Sequence, residues 1–344
     1  MRGLARTIVS FAFLASLNGA VHAQDYPAMT LKFAHLTPAT FPGAPVDKWF
    51  AEEIEKRSGG KIKVQVYWAE SMGKAKELLD LVRTGAVDMA ATPAGYFPNE
   101  LPLVGMTNSV MTLFDDVGQA VKVTTELATT NKAVIAELKK NNIYPIFFHG
   151  VNGYRTFCSK KIQSTDGFKG MKIRSWGEYV PILWQSLGAT GVNVLAPEVY
   201  ESLQRGTIDC AFWPNDAVYS NKLYEVAKYA SDQNFGAIPT WPVWVNWKTF
   251  HEVWPESVRK LLLEVGKEAA AKDTAEMREA DTTALKTMTE KYHVEVVHLS
   301  DPEKMRKMLP DSLAVWVGKM EAKGLGKEAR EIAEFVKRST AKPN

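Results

Sequence analysis

Cysteine is scarce in this chain of 344 residues, which contains only Cys158 and Cys210. Two cysteines cannot build a disulfide framework, and their spacing is not that of a zinc site. Both fall on predicted strands in the same half of the chain, so one disulfide would form in an oxidising compartment if their Cα atoms lay within about 7 Å. We favour the other interpretation, in which both are buried thiols that pack as small hydrophobic residues.

Catalytic motifs are missing as well. The sequence has no Gly-x-Ser-x-Gly, no phosphate-binding Gly-x-x-x-x-Gly-Lys-Ser/Thr and no His-Glu-x-x-His, which argues against the enzyme classes that these motifs mark. The histidines beyond residue 23 are far apart, and none has a metal ligand at helical spacing. We therefore expect a protein that is not an enzyme and holds no metal ion or cofactor.

An excess of one charge and long apolar runs are also lacking. Lysine and arginine number 42 against 39 acidic residues, a formal net charge of +3. Such a balance provides no polycationic surface, so nucleic acid is not an expected partner. Beyond the N-terminus, no stretch approaches the roughly 20 apolar residues of a membrane-spanning helix.

The first 23 residues have the pattern of a secretory signal. Arg2 and Arg6 precede an apolar run from Ile8 to Leu17, and Val21-His22-Ala23 is a small-x-small cleavage sequence. The apolar run is too short to span a membrane. We expect cleavage after Ala23 and export of the mature chain.

The mature chain alternates strand and helix patterns over about 320 residues, more than one core usually supports, so two lobes are expected. Strand patterns at 31–36 and 61–68 flank a helical pattern at 44–57, which predicts an α/β fold with a mostly parallel sheet. One long helix is predicted over 115–140. Another is predicted over 255–292; if continuous it would be roughly 57 Å long, enough to run across both lobes. Gly266 and the polar residues 281–283 leave room for a bend.

Arg174 is the most informative single residue. It closes a predicted strand that follows a tight turn at 166–170, so its guanidinium would lie at the carboxyl edge of a sheet, where open α/β sheets bind ligands. A planar, always-charged fork is well shaped to bind a carboxylate through two parallel hydrogen bonds. The alternative is an ordinary ion pair with an acidic residue of the chain.

Four segments together resemble a known family. They are Ala69–Asp88, Gly153–Thr156, Lys169–Arg174 and Pro197–Asp209. In combination, and over nearly the whole mature chain, they are similar to the extracytoplasmic solute receptors of TRAP (tripartite ATP-independent periplasmic) transporters. The resemblance implies an α/β, two-lobe periplasmic-binding-protein (Venus-flytrap) fold with a long helix spanning the hinge. It also implies a periplasmic location and a TRAP permease in the membrane as partner.

The resemblance also divides the chain. Residues 24–150 and 236–275 would form lobe I, including an aromatic strand at 240–250, and residues 151–235 and 276–344 would form lobe II. A ligand would enter the open cleft, and the lobes would close about the hinge because only the closed state makes both sets of contacts.

Further site residues follow from the resemblance and from one departure from it. Arg155 would be a second basic contact to the carboxylate or a neighbouring oxygen; the alternative is a salt bridge within its lobe. Many receptors for sugar acids have an asparagine before the proline that is Pro214 here, but this chain has Trp213, and Cys210 replaces a glycine. A hydroxyl-binding amide has become an indole, so its polar role cannot be carried over.

Other candidates lie at predicted strand ends or loops that approach the cleft. Trp176, Phe235 and Tyr96 would supply aromatic walls, and the alternative is that these rings belong to the core. Glu70 would accept a hydrogen bond from a ligand hydroxyl unless it lies in a solvated loop. His35 would face the cleft unless it is a structural, hydrogen-bonded histidine.

Aromatic walls around one or two charged anchors suit a small organic carboxylate with an apolar or flat body. The sequence therefore predicts a receptor for a hydrophobic or aromatic monocarboxylate. One alternative is a C4-dicarboxylate or sugar-acid receptor in which Trp213 merely packs. Another is an exported enzyme on the same scaffold, with Cys158 or Cys210 as the reactive group. A third is a receptor that serves a chemosensor or an ATP-driven permease.

Overall fold

The structure is a computed structural model and describes residues 25–341. Its strands form two sheets within this range. The first sheet contains β1 (Met29–His35), β2 (Ile62–Tyr67), β3 (Met89–Ala91), β4 (Ile143–Val151) and β10 (Ile238–Asn246). The second contains β5 (Arg155–Cys158), β6 (Lys172–Ser175), β7 (Thr190–Asn193), β8 (Cys210–Trp213), β9 (Tyr229–Ser231) and β11 (Glu295–Val297).

The strand orders are β2-β1-β3-β10-β4 and β11-β9-β5-β8-β6-β7 among the described residues. β1 pairs in parallel with β2 and β3, as their helical crossovers predict. β10, however, runs antiparallel to both β3 and β4. It belongs to the first sheet although it follows β5 to β9 of the second sheet in the chain.

Helices cover both sheets. They are α1 (Ala44–Arg57), α2 (Leu78–Thr84), α3 (Met106–Ser109), α4 (Val117–Thr130), α5 (Lys132–Lys140), α6 (Val180–Ser186), α7 (Val199–Gln204), α8 (Asn215–Ser220), α9 (Glu256–Tyr292), α10 (Pro302–Met308), α11 (Ser312–Ala322) and α12 (Gly326–Thr340). None of those between residues 25 and 341 has the length and apolar content needed to cross a membrane.

The single helix predicted over 115–140 was wrong. It is broken at Asn131, whose backbone is extended (ψ 119°) and whose side chain accepts the N–H groups of Ala133 and Val134. Asparagine is a strong N-cap residue because its short side chain satisfies the free donors of a first turn. The cap starts α5 as a separate helix.

The long helix α9 is continuous over 37 residues, as the sequence predicts. It packs against α1, α4 and β4 beside the first sheet and against α8 beside the second. Its buried residues recur at helical spacing and include Val258, Leu262 and Ala269, so one apolar stripe supplies the contact. The two-lobe fold with a helix that spans both lobes is therefore confirmed.

The chain also passes between the sheets after β4 and again before β10. At these passages Phe235 donates its N–H to the carbonyl of Tyr154, and Tyr154 donates its own to Gly236 (both 3.0 Å). Gly236 has a φ of +90°, and a Cβ there would lie 2.8 Å from the carbonyl oxygen of Phe114. Only glycine fits at position 236, because its φ is positive and because a side chain would meet the backbone of Phe114.

The C-terminal helices contact both lobes. Trp316 on α11 donates its indole N–H to the carbonyl of Pro102 at 3.1 Å, whereas Lys323 pairs with Glu178 beyond β6 at 3.3 Å. The assignment of residues 276–344 to lobe II, and the lobe boundaries as a whole, stay predictions. The predicted signal peptide lies outside the described residues.

The expectation of two free thiols was wrong, since Cys158 and Cys210 form a disulfide. The two residues are direct partners in the antiparallel pair β5–β8, and their Cα atoms lie 4.0 Å apart. Sequence could place each cysteine on a strand, but only strand register brings them opposite each other. Disulfides persist in oxidising compartments, which agrees with an exported protein.

Candidate functional site

Arg174 lies at the end of β6, as predicted, and is 2% exposed. Its Nε donates to the carbonyl oxygen of Val194 at 3.2 Å, and its Nη1 donates to that of Phe212 at 3.0 Å. These carbonyls belong to the chain on either side of β6, next to β7 and in β8. The neighbouring strands thus hold the guanidinium in one orientation and leave its other N–H groups for further partners.

Two indoles flank the guanidinium. Its central carbon lies 4.7 Å from the ring centroid of Trp176 and 4.8 Å from that of Trp213. Arginine over an aromatic face is attracted by the ring's negative potential, more strongly where water is excluded. The two rings therefore stabilise the buried cation without neutralising its charge.

Arg174 has no acidic partner. Across residues 25–341, no carboxylate forms an ion pair with it; it donates to backbone carbonyls and also interacts with the hydroxyls of Tyr96 and Tyr154. A buried charge is costly unless it is paired, and the ordinary ion pair considered as an alternative is not formed. Arg174 therefore carries a buried positive charge that no carboxylate of the described chain neutralises.

Two phenols stand beside this cation. Burial raises the pKa of Tyr96 and of Tyr154, and the charge of the nearby Arg174 opposes the rise without cancelling it. Both hydroxyls therefore keep their protons at neutral pH and are able to donate to a carboxylate. The Tyr96 hydroxyl also accepts the N–H of Ala196 at 3.1 Å.

These groups surround a cavity between the lobes. Its lining comprises Leu36, Thr37, Phe41, Pro93, Tyr96, Asn108, Tyr154, Arg174, Trp176, Ala196, Trp213, Thr240 and Trp241. The space that the centre of a water molecule can occupy is about 20 Å³, close to what a single water needs. The lobes are shut on each other, so a ligand enters only when they separate.

Direct bonds between the lobes accompany this closure. The indole N–H of Trp176 in the second lobe donates to the carbonyl of Asn108 in the first at 3.1 Å. The side chain of Asn108 in turn donates to the carbonyls of Pro239 and Thr240 (2.8 and 3.1 Å) and accepts the N–H of Gly95. Asn108 is thus held rigidly at the seam, where Trp176 meets it.

A buried charge network lies behind the first-lobe wall. His149 at the end of β4 contacts Asp47 on α1 through Nε2 (3.0 Å) and Asp273 on α9 through Nδ1 (2.8 Å). Burial alone would lower the pKa of His149, but the two carboxylates raise it to about 10. Burial would raise the pKa of Asp47, but the histidines bound to it lower it to about 2. His149 is therefore an imidazolium that binds two carboxylates and links β4 to both α1 and α9.

His35 extends this network to the cavity. Its Nδ1 accepts the backbone N–H of Thr37 at 3.0 Å, and its Nε2 lies 3.0 Å from Asp47. Burial lowers the pKa of His35, so the ring is neutral and Nε2 carries the proton donated to Asp47. Thr37 lines the cavity, whereas His35 supports it from behind as a structural histidine.

Arg174, Trp213, Trp176 and Tyr96 line the cavity, and the other four predicted site residues do not. Arg155 donates from Nη1 to the carbonyls of Asp232 and Ser231 at 2.7 and 3.4 Å. Phe235 packs within the second lobe against Trp184, with ring centroids 5.3 Å apart. Ligand contact by Arg155 or Phe235 stays a prediction without support from this geometry.

Glu70 is also placed away from the cavity. Its carboxylate accepts the N–H of Ala75 at 2.7 Å and pairs with Lys74 at 3.1 Å. It closes the loop after β2, so contact with a ligand hydroxyl stays a prediction for Glu70, as it does for His35. Within the described chain, no group of three or more His, Cys, Asp or Glu residues is arranged to hold a metal ion.

Sequence reasoning missed several cavity residues. Tyr154 precedes Arg155 directly, and successive residues of an extended chain point to opposite faces. Tyr154 therefore faces the cavity, whereas the predicted Arg155 faces away from it. Phe41 lies in the loop after β1, where no periodicity indicates orientation. Trp241 lies on β10 in a run of aromatics, and almost every residue of that strand is buried, so no alternation could have identified it.

Known proteins share both sequence and fold with this chain. Residues 33–312 match the family described as bacterial extracellular solute-binding protein, family 7. The C4-dicarboxylate-binding periplasmic protein DctP of Rhodobacter capsulatus is 29% identical over 277 residues, which cover 76% of this chain and 81% of that protein.

Two solved structures of TRAP periplasmic solute-binding proteins show the same fold. One, from Desulfovibrio salexigens with bound orotic acid, has a TM-score of 0.78 at 21% identity and covers 90% of this chain and 99% of its own. The other, from a Sulfitobacter species with bound β-D-galacturonate, has a TM-score of 0.76 at 20% identity, with coverage of 90% and 99%. The protein described here is therefore a member of bacterial extracellular solute-binding protein family 7, with the two-lobe fold of the periplasmic receptors of TRAP transporters.

Proposed function

We propose that this protein captures a small hydrophobic or aromatic monocarboxylate between its lobes and delivers it to a TRAP permease. The observation that carries the proposal is Arg174, a buried cation that is held by backbone carbonyls and two indoles and has no acidic partner in residues 25–341. Its remaining N–H groups and the hydroxyls of Tyr96 and Tyr154 offer donors to one carboxylate.

The lining favours one carboxylate over two. Arg174 is the only cation among the described residues that line the cavity, and Arg155 is engaged by carbonyls elsewhere. A second ligand carboxylate would lose water without gaining a charge partner, which is costly. The walls from Trp176, Trp213 and Trp241 suit a flat or apolar body instead.

Closure would couple binding to transport. In the open state the ligand touches one lobe, and the seam contacts of Tyr96 and Trp176 form only when the lobes meet. The ligand therefore shifts the population toward the closed form in proportion to its preference for that form. A membrane permease would then recognise the closed receptor and open it.

A thermal-melting panel tests the ligand class. Benzoate, phenylacetate, mandelate, lactate, succinate and glucuronate would each be added to the mature protein. We expect the aryl acids to raise the melting temperature, since a ligand at a thousandfold excess over its dissociation constant stabilises the native state by about 4 kcal/mol. A rise with succinate or glucuronate alone would instead support a C4-dicarboxylate or sugar-acid receptor, the ligand classes of the Rhodobacter and Sulfitobacter relatives.

The exported-enzyme alternative loses its reactive group. It relied on the thiol of Cys158 or Cys210, and both are engaged in the disulfide.

The proposal also includes export with cleavage after Ala23. We expect the intact mass of the protein, purified from the periplasm without reductant, to equal residues 24–344 less two hydrogens. A mass that retains residues 1–23 would contradict export by this signal.

A further inference from the structure

Phe41 lines both the Arg174 cavity and a second interlobe cleft. The second cleft has a volume of about 350 Å³, far larger than the closed cavity. The loop before α1, the helix α8 and the hinge helix α9 form its walls. Its lining comprises Thr40, Phe41, Pro42, Gly43, Pro45, Asp216, Tyr219, Ser220, Glu276, Met277, Ala280, Thr283 and Ala284.

The cleft combines apolar walls with one buried carboxyl. Pro42, Met277 and Ala284 provide apolar surface, and Asp216 is only 4% exposed. The second acid of the lining, Glu276, is exposed and already pairs with Lys272 at 2.7 Å. Asp216 is thus the polar group whose environment is unusual.

Asp216 lacks a basic partner. Its Oδ1 accepts the N–H of Ala217 at 2.8 Å, and its buried Oδ2 has no hydrogen-bond partner among residues 25–341. Burial and then the charge of Asp281 raise the pKa of Asp216 to about 7. Asp281 cannot compensate it, since it is itself acidic and binds Asn215. A cation bound beside Asp216 would therefore be stabilised by this unpartnered carboxyl group.

The two cavities adjoin at Phe41. The Phe41 ring lies 5.7 Å, centroid to centroid, from both Trp213 and Trp241, which line the Arg174 cavity. Asp216 follows Trp213 by three residues. Burial is the main cause of the raised pKa of Tyr154 in that same cavity, and the charge of Asp216 adds a small contribution in the same direction. A rotation of Phe41, the ring shared by the two linings, would join the small Arg174 cavity to the larger apolar cleft.

We propose that the ligand site extends past Phe41 into this cleft and accepts an acid whose far end carries a positively charged amino group, bound by Asp216. The inference rests on the proposed function, because the ligand's carboxylate must still pair with Arg174. The apolar body would lie between Phe41 and the hinge helix. Such a ligand would contact Phe41 of the first lobe through its body and satisfy one unpaired charge of the second lobe at each end.

The test is calorimetry with a matched pair of ligands. 4-(Aminomethyl)benzoate and 4-ethylbenzoate have nearly the same shape and differ in the charge of the terminal group. We expect the wild-type protein to bind 4-(aminomethyl)benzoate roughly tenfold or more tightly than 4-ethylbenzoate, as a charged hydrogen bond in a desolvated site would give. Asp216→Asn should abolish this preference while leaving the affinity for 4-ethylbenzoate within about threefold.

Two further variants make the result specific. Glu276→Gln alters the exposed acid of the same cleft and should keep the preference. Ala280→Met narrows the cleft from α9 without touching Asp216, and should weaken both para-substituted acids while sparing benzoate; this arm serves if Asp216→Asn does not fold. The inference would be overturned if the wild type bound the matched ligands equally, or if the preference for 4-(aminomethyl)benzoate survived Asp216→Asn. Benzoate binding that depends on Arg174 would still support the proposed function in either case.

Discussion

Replacing Arg174 with alanine is expected to weaken carboxylate binding by two orders of magnitude or more. The closed cleft excludes water, so the ligand's carboxylate would be buried without its partner. Breaking such a pair typically costs about 3–5 kcal/mol, and every 1.4 kcal/mol is about tenfold in affinity. Arg174→Lys should recover little, because an ammonium cannot bind the carbonyls of Val194 and Phe212 and also present a planar fork to the ligand.

Arg155→Ala is the matched comparison for this experiment. Arg155 is also basic and lies on the neighbouring β5–β8 pair, but its guanidinium is bound to the carbonyls of Asp232 and Ser231. From this geometry we expect less than a tenfold loss in calorimetry. A loss as large as that of Arg174→Ala would support the second basic contact that the family resemblance implies. A loss below tenfold for Arg174→Ala itself, in a folded protein, would refute the proposed anchor.

Replacing His149 with glutamine is expected to have the largest effect on stability. The change leaves Asp47 and Asp273 buried without the imidazolium that both contact. Losing one partner of a buried charge network costs about 3–5 kcal/mol. Chemical denaturation followed by circular dichroism should show this loss at pH 7.

The pH dependence distinguishes lost charge from lost packing. The folded-state pKa of His149 is raised to about 10, so its stabilising contribution is fully present below its ordinary pKa near 6.5 and disappears as the pH rises through about 10. The folded-state pKa of Asp47 is lowered to about 2, so its contribution is present above about 4 and is lost as the pH falls through 2. The gap in unfolding free energy between wild type and His149→Gln should therefore narrow from pH 7 to pH 10.

His298→Gln is the control for this histidine. His298 also contacts an aspartate, Asp232, at 3.0 Å, but its side chain is 84% exposed. Exposed pairs contribute about 0–1 kcal/mol, so the variant should unfold close to wild type. A gap between wild type and His149→Gln that stays constant from pH 7 to pH 10 would show that the imidazolium contributes only packing.

Local patterns in the sequence determined much of this protein. The helix at 44–57 matches α1 residue for residue, and α9 was predicted to within one residue, because apolar spacing and proline position act within a few turns. Arg174 could be placed at a strand end for the same reason. The family resemblance of the motifs around it was enough to predict the two-lobe receptor.

Contacts distant in sequence were decided only by the tertiary structure. The disulfide depends on the register between β5 and β8, and the network of Asp47, His149 and Asp273 joins residues up to 226 positions apart (273 minus 47). Such contacts arise from how lobes and strands pack, which no local period encodes. For the same reason the tertiary structure alone placed Tyr154, rather than Arg155, in the cavity and put Phe41 between the two interlobe spaces.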